Sequence, residues 1–440
     1  MDKRIKQAGG LILFSHLFSQ GIRLAANLIV ARLLAPEMFG VMAIVLMVQQ
    51  AIVMFSDIGL NAFVIRHKDY NNQTMLDTVW TIQLIRGWIM FLILLISCAV
   101  LFLLQQSTIT TNWGGLNNHQ LPGLIAVTSV IAIFNGYKSL AHLVYGRELN
   151  RSRIEVAQVI SQLLGTITMI FWAWYAPSVW ALASASLVSA IFSLFLSYKL
   201  FNIRHKFHWN KNIVRDVYDF GKWIVIATAL TYLSQQGDRL FLSVNTSEAQ
   251  LGLYSIAIIL SSFAINIINK LTDLLWLPVF SSKSTDLLIL KKAYYRLRFI
   301  QDVGLGVFVL VTVILTPYFI DLIYDERYTD VTWMLRLMII LVVPLSITST
   351  AQALLVAVGE TKVQMQVMFV KVLSLIIVLP WLFSLYQLKG VIMGTVISTF
   401  ISIIPQYIVM KQRSILSSLS ELKVVPLIIV LYVALIFRDL

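Results

Sequence analysis

The chain has 440 residues, of which 58% are hydrophobic and only 12% are charged, and its mean hydropathy is +0.82. Soluble domains carry about 25% charged residues, so this composition excludes a soluble globular protein and indicates a polytopic membrane protein. The net charge of +13 would favour nucleic-acid binding in a soluble chain, but here the basic residues stand in short loops between apolar runs.

Twelve apolar runs are long enough to cross a bilayer as helices, which takes about 20 residues. We place them near residues 11–34, 38–57, 78–104, 123–146, 156–175, 178–200, 222–245, 250–280, 299–323, 333–358, 364–386 and 390–410. A further run, 424–438, is short for a span. The predicted fold class is therefore all-α, a polytopic membrane protein with about 12–13 transmembrane helices.

The first two predicted spans carry polar groups. His16, Gln20, Arg23 and Asn27 are spaced by four, three and four residues and share one helical face. Arg23 falls near the middle of its span, where a lipid-facing charge costs several kcal/mol. We therefore expect this face to contact protein or a water-filled cavity. Asp57 closes the second span.

Basic residues cluster in alternate loops. One side of the membrane holds groups such as Arg147, Arg151 and Arg153, whereas the other has little beyond Arg327 and Lys389. Because cytoplasmic loops are enriched in Lys and Arg, we expect a cytoplasmic N-terminus and an even number of spans before residue 411.

A weak internal repeat predicts two similar halves. Pro36–Ala43 resembles Ser247–Ala257 once gaps are allowed, and the polar stretch 202–220 lies near the middle of the chain. We expect an N-terminal six-helix lobe (1–200), a cytoplasmic linker (201–221), a C-terminal six-helix lobe (222–411), and a cytoplasmic segment with a short additional helix (412–440). Gly390 and Gly394 form a GxxxG pair that predicts close helix packing.

Motifs of catalysis and metal binding are missing from the sequence, which contains no HExxH, GxxxxGK[ST], CxxC or metal-binding DxD pattern. We therefore expect no enzyme activity, no metal and no cofactor. What the predicted spans contain instead is a set of ionisable residues: Arg23, Arg86, Lys138, Asp238, Arg239, Lys270, Asp273 and Lys371. Several helices each present one polar face, and a shared aqueous cavity would satisfy them.

Two readings of these residues remain open. The Asp238–Arg239 and Lys270–Asp273 pairs could be internal ion pairs that fix helix packing. Arg23 and Lys138 have no acidic residue within one helical turn in sequence, so we expect them to contact substrate or ions. Unpaired cations at membrane depth suit an anionic ligand such as phosphate.

Two stretches near the start of the chain resemble the first part of the sequences of a known membrane family: IVARLLAPEMFGVMAI, followed by FSDIGLNAFVIRHK. The resemblance continues in order through LGLYSIA, LPVFSSK, IYDERYTDVTWMLRLM and ALLVAVGETK. The chain is identified as similar to the polysaccharide transporter family, the O-antigen and exopolysaccharide repeat-unit flippases. This family belongs to the multidrug/oligosaccharidyl-lipid/polysaccharide exporter (MOP) superfamily, together with multidrug exporters and murein-precursor flippases.

The resemblance implies a MATE-like flippase fold with two lobes around a central cavity. It also implies alternating access in the bacterial inner membrane, cargo linked by pyrophosphate to undecaprenol, and polysaccharide polymerases as candidate partners. Coupling would use Na⁺ or H⁺. On this basis Arg23, Arg86, Lys138, Arg239, Lys270 and Lys371 are expected to bind the diphosphate or acidic sugars. Asp57, Asp238 and Asp273 are expected to be the coupling-ion sites.

Two alternatives to this function remain. The first is a drug/cation antiporter of the same superfamily, whose cationic cargo favours an acidic cavity, whereas the ionisable residues here are mostly basic. The second is a membrane glycosyltransferase or polymerase, for which we would expect a large outer loop or a carboxylate pair at the membrane face. The longest predicted outer loop, 105–121, has neither.

Overall fold

The computed structural model describes residues 3–68, 70–106, 114–147, 152–201, 203–283, 286–415 and 432. In these ranges the regular structure is entirely helical. The α-helices are α1 Lys3–Leu33, α2 Pro36–Phe55, α3 Leu60–Arg66, α4 Gln73–Gln105, α5 Gln120–Tyr137, α6 Ala141–Arg147, α7 Ser152–Tyr175, α8 Val179–Lys199, α9 Lys211–Asn245, α10 Glu248–Leu271, α11 Leu277–Lys283, α12 Leu287–Ile323, α13 Val331–Met338, α14 Val342–Ala357, α15 Val363–Ile401 and α16 Ile404–Gln412. A π-helical turn, Thr272–Trp276, joins α10 to α11.

Nine helical stretches within the described ranges are long and apolar enough to cross a membrane. One of them, Val363–Gln412, covers two predicted spans, which meet at Gln387 with φ 52° and ψ −132°. The predicted spans 11–34 and 222–245 lie on α1 and α9, outside the nine, and the run 424–438 falls outside the described residues. These findings confirm the predicted class, an all-α polytopic membrane protein.

Side-chain caps define where several of the helices begin. Asn72, Asn210 and Asp286 each accept backbone N–H groups from the first turn of α4, α9 and α12. A cap of this kind contributes about 1 kcal/mol because it satisfies N–H groups that have no partner inside the helix. Pro36 begins α2, where its missing N–H costs nothing.

The described residues group into two compact units. Unit 1 comprises Met1–Tyr232 with Leu242–Gly252, and unit 2 comprises Leu233–Phe241 with Leu253–Leu440. Unit 1 packs a core around residues such as Leu60, Val79 and Leu140. Unit 2 has two apolar clusters, around Val309 and Leu354. The lobe boundaries expected from sequence stay a prediction; residues 211–221 of the predicted linker are the first turns of α9.

Two glycines in unit 1 bring the starts of α2 and α10 into backbone contact. A Cβ at Gly40 would lie 2.0 Å from the carbonyl oxygen of Glu248, and a Cβ at Gly252 would lie 1.8 Å from that of Pro36. Gly40 and Gly252 occupy matching places in the two segments that the sequence pairs as a repeat. Each segment therefore supplies the glycine that the other one needs for close approach.

The GxxxG pair in α15 packs closely, as predicted. A Cβ at Gly390 would lie 2.0 Å from the carbonyl oxygen of Leu382, and one at Gly394 would lie 2.9 Å from Leu379 Cδ2. The positive φ of Gln387 lies between these segments. The two parts of α15 therefore pack against each other across this break.

The predicted span 123–146 is wrong in one respect, because it is two helices and not one. α5 ends at Tyr137 and α6 begins at Ala141. Gln83 Nε2 donates to the carbonyl oxygens of Asn135, Gly136 and Lys138, at 2.9–3.0 Å. One side chain on α4 therefore satisfies carbonyls that a continuous helix would have paired internally.

The loop after α8 supports the same break through a buried histidine. His205 Nε2 accepts the N–H of Leu140 (3.1 Å) and lies 3.1 Å from Ser139 Oγ, while its Nδ1 lies 3.6 Å from Asp77 Oδ1. Burial lowers the pKa of His205 below its ordinary value of 6.5, against a smaller opposing effect of Asp77. The neutral ring, with Nε2 unprotonated, is the form that fits these contacts.

This arrangement predicts a stability that falls in acid. Below pH 6.5 the unfolded chain binds a proton at His205 that the folded chain resists, so we expect stability to decrease as the pH falls from 7 to 5. The slope from this one group is at most about 1.4 kcal/mol per pH unit. Thermal unfolding in detergent across this range measures it. His205→Gln should flatten the dependence, while His208→Gln, at an exposed site in the same loop, should leave it unchanged. An unaltered slope in His205→Gln would contradict the assignment.

Candidate functional site

Arg86 and Asp57, predicted to have separate roles, lie together in unit 1. Arg86 on α4 donates to the carbonyl oxygen of Val53 (2.9 Å) and to Ser56 Oγ (3.2 Å), and its Nη1 lies 3.6 Å from Asp57 Oδ1. Asp57 Oδ1 also accepts the N–H of Gly59 at 2.9 Å. Arg86 therefore holds the C-terminal end of α2. Substrate binding by Arg86 and ion coupling by Asp57 stay predictions.

Lys138 lies at the break between α5 and α6, with a half-buried side chain. Within the described part of the chain, no carboxylate lies within ion-pair distance of its ammonium group. The sequence has no acidic residue within one helical turn of Lys138, and the fold brings no described carboxylate into ion-pair distance. Because no described carboxylate neutralises it, the ammonium group of Lys138 could pair with an anionic ligand.

Arg23 on α1 is exposed, and its carbonyl oxygen accepts Asn27 Nδ2 at 2.9 Å. Its neighbour Gln20 is the buried member of the predicted polar face. The described residues do not enclose Arg23, and the expectation that its face meets protein or a water-filled cavity stays a prediction. The side chain of His16 lies outside the described set.

A compact polar cluster in unit 2 surrounds Asp238 on α9. Asp238 is 8% exposed; its Oδ2 accepts the hydroxyl of Tyr254 at 2.5 Å and its Oδ1 accepts the N–H of Arg239 at 2.8 Å. The Thr395 side chain lies near the Tyr254 hydroxyl, and Lys371 on α15 interacts electrostatically with Asp238. We call Asp238, Arg239, Tyr254, Lys371 and Thr395 the Asp238 cluster.

The cations of the Asp238 cluster are incompletely partnered. Arg239 Nη1 donates to Gln236 Oε1 at 3.1 Å, but its buried Nε has no hydrogen-bond partner in the part of the chain that the structure describes. Among the described residues, no carboxylate lies within 4 Å of the ammonium group of Lys371 or of the guanidinium of Arg239. The ion pair between Asp238 and Arg239, one of the alternatives left open by the sequence, therefore does not form there. The cluster contains two basic side chains and one acidic side chain, so its formal charge is positive.

Lys270 and Asp273 flank the start of the π-helical turn. Lys270 is half-buried near the end of α10, and the side chain of Asp273 lies outside the described set. Their pairing therefore stays open, and their roles stay predictions. Among the residues that the structure describes, no group of three or more His, Cys, Asp or Glu side chains could hold a metal ion.

Sequence reasoning missed a buried polar network on α12. Arg298 and Asp302 are each 4% exposed at the side chain; Arg298 Nη2 lies 2.6 Å from Asp302 Oδ1, and Nε donates to Oδ2 at 3.0 Å. Gln301 accepts from Trp276 Nε1 and Thr350 Oγ1, and donates to Ser346 Oγ at 2.6 Å. The signal was an Arg and an Asp four residues apart, but the span predicted to begin at residue 299 left Arg298 outside it.

Comparison with known proteins places this fold in a family. The family model described as polysaccharide biosynthesis protein matches residues 29–333, more than half of the chain. The chain belongs to the polysaccharide biosynthesis protein family. This result confirms the resemblance stated from sequence. No curated protein matches this chain in sequence.

Solved structures of the MOP superfamily share the fold of this family member. The lipid II flippase MurJ, in an inward closed conformation, has a TM-score of 0.68 at 14% identity, with 97% of this chain and 98% of that chain covered. An inward-facing MATE family multidrug resistance transporter has a TM-score of 0.64 at 16% identity, with 90% and 94% covered. A MOP superfamily transporter from Pyrococcus furiosus has a TM-score of 0.57 at 18% identity, with 93% and 96% covered. The predicted MATE-like flippase fold is confirmed.

Proposed function

We propose that this multi-pass membrane protein is a flippase for undecaprenyl-pyrophosphate-linked oligosaccharide repeat units. It carries them from the cytoplasmic to the periplasmic leaflet of the bacterial inner membrane by alternating access, for synthesis of O-antigen, capsule or exopolysaccharide. The N-terminus is cytoplasmic in this proposal, and a polysaccharide polymerase receives the product. The family and the MurJ-like fold support a flippase, and the cargo rests on the chemistry of the site.

The observation that carries the proposal is the net positive charge of the Asp238 cluster. Lys371 and Arg239 have no carboxylate within ion-pair distance among the described residues, and Arg239 Nε is buried without a partner. Burying an uncompensated cation in a membrane protein costs several kcal/mol unless a ligand completes the site. A diphosphate supplies two anionic groups and many acceptor oxygens, and both Lys and Arg bind phosphate well.

The same cluster provides a route to ion coupling. Asp238 is a carboxylate that interacts electrostatically with Lys371, and it accepts a hydrogen bond from the hydroxyl of Tyr254. Binding of H⁺ or Na⁺ at Asp238 would raise the positive charge that a diphosphate meets, and release of the ion would lower it. Asp238 is therefore the coupling site that we favour, ahead of Asp57, which contacts Arg86, and Asp273.

Lys371→Ala is expected to reduce translocation of a labelled undecaprenyl-pyrophosphate oligosaccharide in proteoliposomes by tenfold to about a hundredfold. A hydrogen bond to a charged group contributes about 1.5–3 kcal/mol, which gives this range. Lys362→Ala removes an exposed lysine at the start of the same helix and should leave the rate near that of the native chain. Correct folding of both variants is checked by their elution as monodisperse protein in detergent.

Three outcomes would redirect the assignment. Equal translocation by Lys371→Ala and Lys362→Ala would remove Lys371 from the site and shift attention to Lys138 and Arg86. Transport of a lipophilic cation, but not of the lipid-linked glycan, by the native chain would favour the drug/cation antiporter. A change in the length of the glycan during the assay would favour a glycosyltransferase or polymerase.

A further inference from the structure

Unit 2 contains a cavity of about 480 Å³ that belongs to none of the ion clusters described above. Its walls come from α9, α10, the π-helical turn, α11, α14 and α15, and every lining residue belongs to unit 2. The volume is in the range of about 300–1,000 Å³ that is usual for small-molecule sites. The cavity is therefore large enough to hold a ligand.

The polar groups of this cavity are uncharged. None of its lining residues is a Lys, Arg, Asp or Glu, as far as the structure describes the chain. Instead, seven amide and hydroxyl side chains line it: Gln235, Asn269, Thr272, Thr348, Ser349, Gln352 and Gln364. Apolar side chains, among them Ile265, Leu277 and Leu345, complete the walls.

One of these groups is buried without a hydrogen-bond partner. Thr272 is 3% exposed and lines the cavity, and its Oγ1 has no hydrogen-bond partner among the described residues. A buried hydroxyl left unsatisfied costs about 1–3 kcal/mol, so the site is incomplete until something hydrogen-bonds to it. Thr272 also begins the π-helical turn, and π-helical turns within helices occur frequently at functional sites.

The amides around Thr272 are available as well. Within the described ranges, the side chains of Gln235, Asn269, Gln352 and Gln364 form no hydrogen bond to protein. Each amide offers two donors and one acceptor oxygen, which matches a ligand whose groups both donate and accept. Sugar hydroxyls and N-acetyl groups have this property. A cationic drug would need a carboxylate in the walls, and a phosphate or uronic acid would need a cation.

We propose that this cavity binds the uncharged sugars of the cargo, that is, hexose or N-acetylhexosamine residues. This assignment rests on the proposed function, because the sugars arrive attached to the lipid diphosphate. It divides the recognition of the cargo between two places in unit 2. The Asp238 cluster binds the diphosphate through charge, and the amide-lined cavity binds neutral sugars through hydrogen bonds.

Binding of free sugars tests this assignment without any lipid. The probes are N,N′-diacetylchitobiose and maltose, titrated calorimetrically into the full-length protein in detergent. We expect the native chain to bind at least one of them, and we expect Gln364→Leu and Thr272→Val to weaken that binding by about tenfold through lost hydrogen bonds. Thr272→Val keeps the shape of the side chain and removes only the hydroxyl.

The matched control lies on the same helix. Gln366 is exposed, two residues from Gln364, and does not line the cavity. Gln366→Leu should therefore bind the disaccharide within about twofold of the native chain. Equal binding by the native chain and all three variants would overturn the assignment, and so would a native chain that binds neither disaccharide or binds an organic cation in the cavity instead.

Translocation of the labelled lipid-linked oligosaccharide, measured on the same variants, separates this inference from the proposed function. Loss of disaccharide binding in Gln364→Leu and Thr272→Val, together with slower translocation, supports both. Disaccharide binding that depends on Gln364, in a chain that translocates no lipid-linked glycan, supports the sugar site and contradicts the flippase. Normal translocation with disaccharide binding unaffected by the variants contradicts the sugar site alone.

Discussion

Gly252→Ala is expected to lower the stability of the folded protein by several kcal/mol or to abolish folding. The added Cβ would lie 1.8 Å from the carbonyl oxygen of Pro36 and 3.0 Å from the backbone nitrogen of Gly40. Real Cβ atoms do not approach other atoms so closely, and the obstacle is backbone, which cannot rotate away as a side chain can. Overpacking of a side chain costs about 1–3 kcal/mol, and a backbone clash costs more. Gly40→Ala meets the carbonyl oxygen of Glu248 and should have a similar effect.

Gly304→Ala is the matched control for this result. Gly304 lies inside α12, and a Cβ there would have no neighbour within 4 Å. Alanine favours a helix over glycine by about 1 kcal/mol, so this variant should be as stable as the native chain or more so. Thermal unfolding in detergent measures all three proteins. A melting temperature for Gly252→Ala that equals that of Gly304→Ala would contradict the close approach of α2 and α10.

Asp302→Leu is expected to destabilise the protein strongly, by about 3–5 kcal/mol, because it leaves the guanidinium of Arg298 buried without its counter-charge. Both side chains are 4% exposed and α12 provides both of them. Arg298→Met should have an effect of similar size for the converse reason. The double variant Arg298→Met/Asp302→Leu should recover most of the loss, since a buried ion pair contributes little beyond a well-packed apolar pair.

An exposed pair with the same spacing provides the comparison. Arg215 and Asp219 lie four residues apart on α9, with 84% and 54% of their side chains exposed. Asp219→Asn should therefore change the stability by less than about 1 kcal/mol. Additive effects of Arg298→Met and Asp302→Leu in the double variant would show that the two charges do not compensate each other, and would contradict this prediction.

Hydropathy alone predicted most of the fold, because the free energy of transferring side chains from water into a bilayer adds up along each run. The two spans on either side of Gln387 were separated correctly, because the helix breaks at Gln387, where φ is positive. The break between α5 and α6 could not be predicted. It depends on Gln83 and His205, which lie more than 50 residues away from it in either direction.

The candidate site was predicted as a set of charges without their partners. Sequence spacing placed Asp238 next to Arg239, but only the fold shows that Tyr254 holds the carboxylate while Gln236 holds the guanidinium. The hydrogen bond between Tyr254 and Asp238 joins α10 to α9, and helical periodicity carries no information about which faces meet. The uncharged cavity around Thr272 was not predicted for the same reason. Its amide and hydroxyl side chains lie on separate helices and form a site only when those helices pack together.

The Arg298–Asp302 pair also bears on how the protein is inserted during synthesis. Its partners are one turn apart on α12, so the pair closes as soon as that helix forms and enters the bilayer with its charges already compensated. Lys371 differs, because Asp238, the carboxylate with which it interacts, lies on α9. A lone lysine at the centre of a helix opposes insertion by about 2.5–3.5 kcal/mol. Contact with Asp238 on α9, which is made earlier, therefore offsets part of the cost of inserting α15.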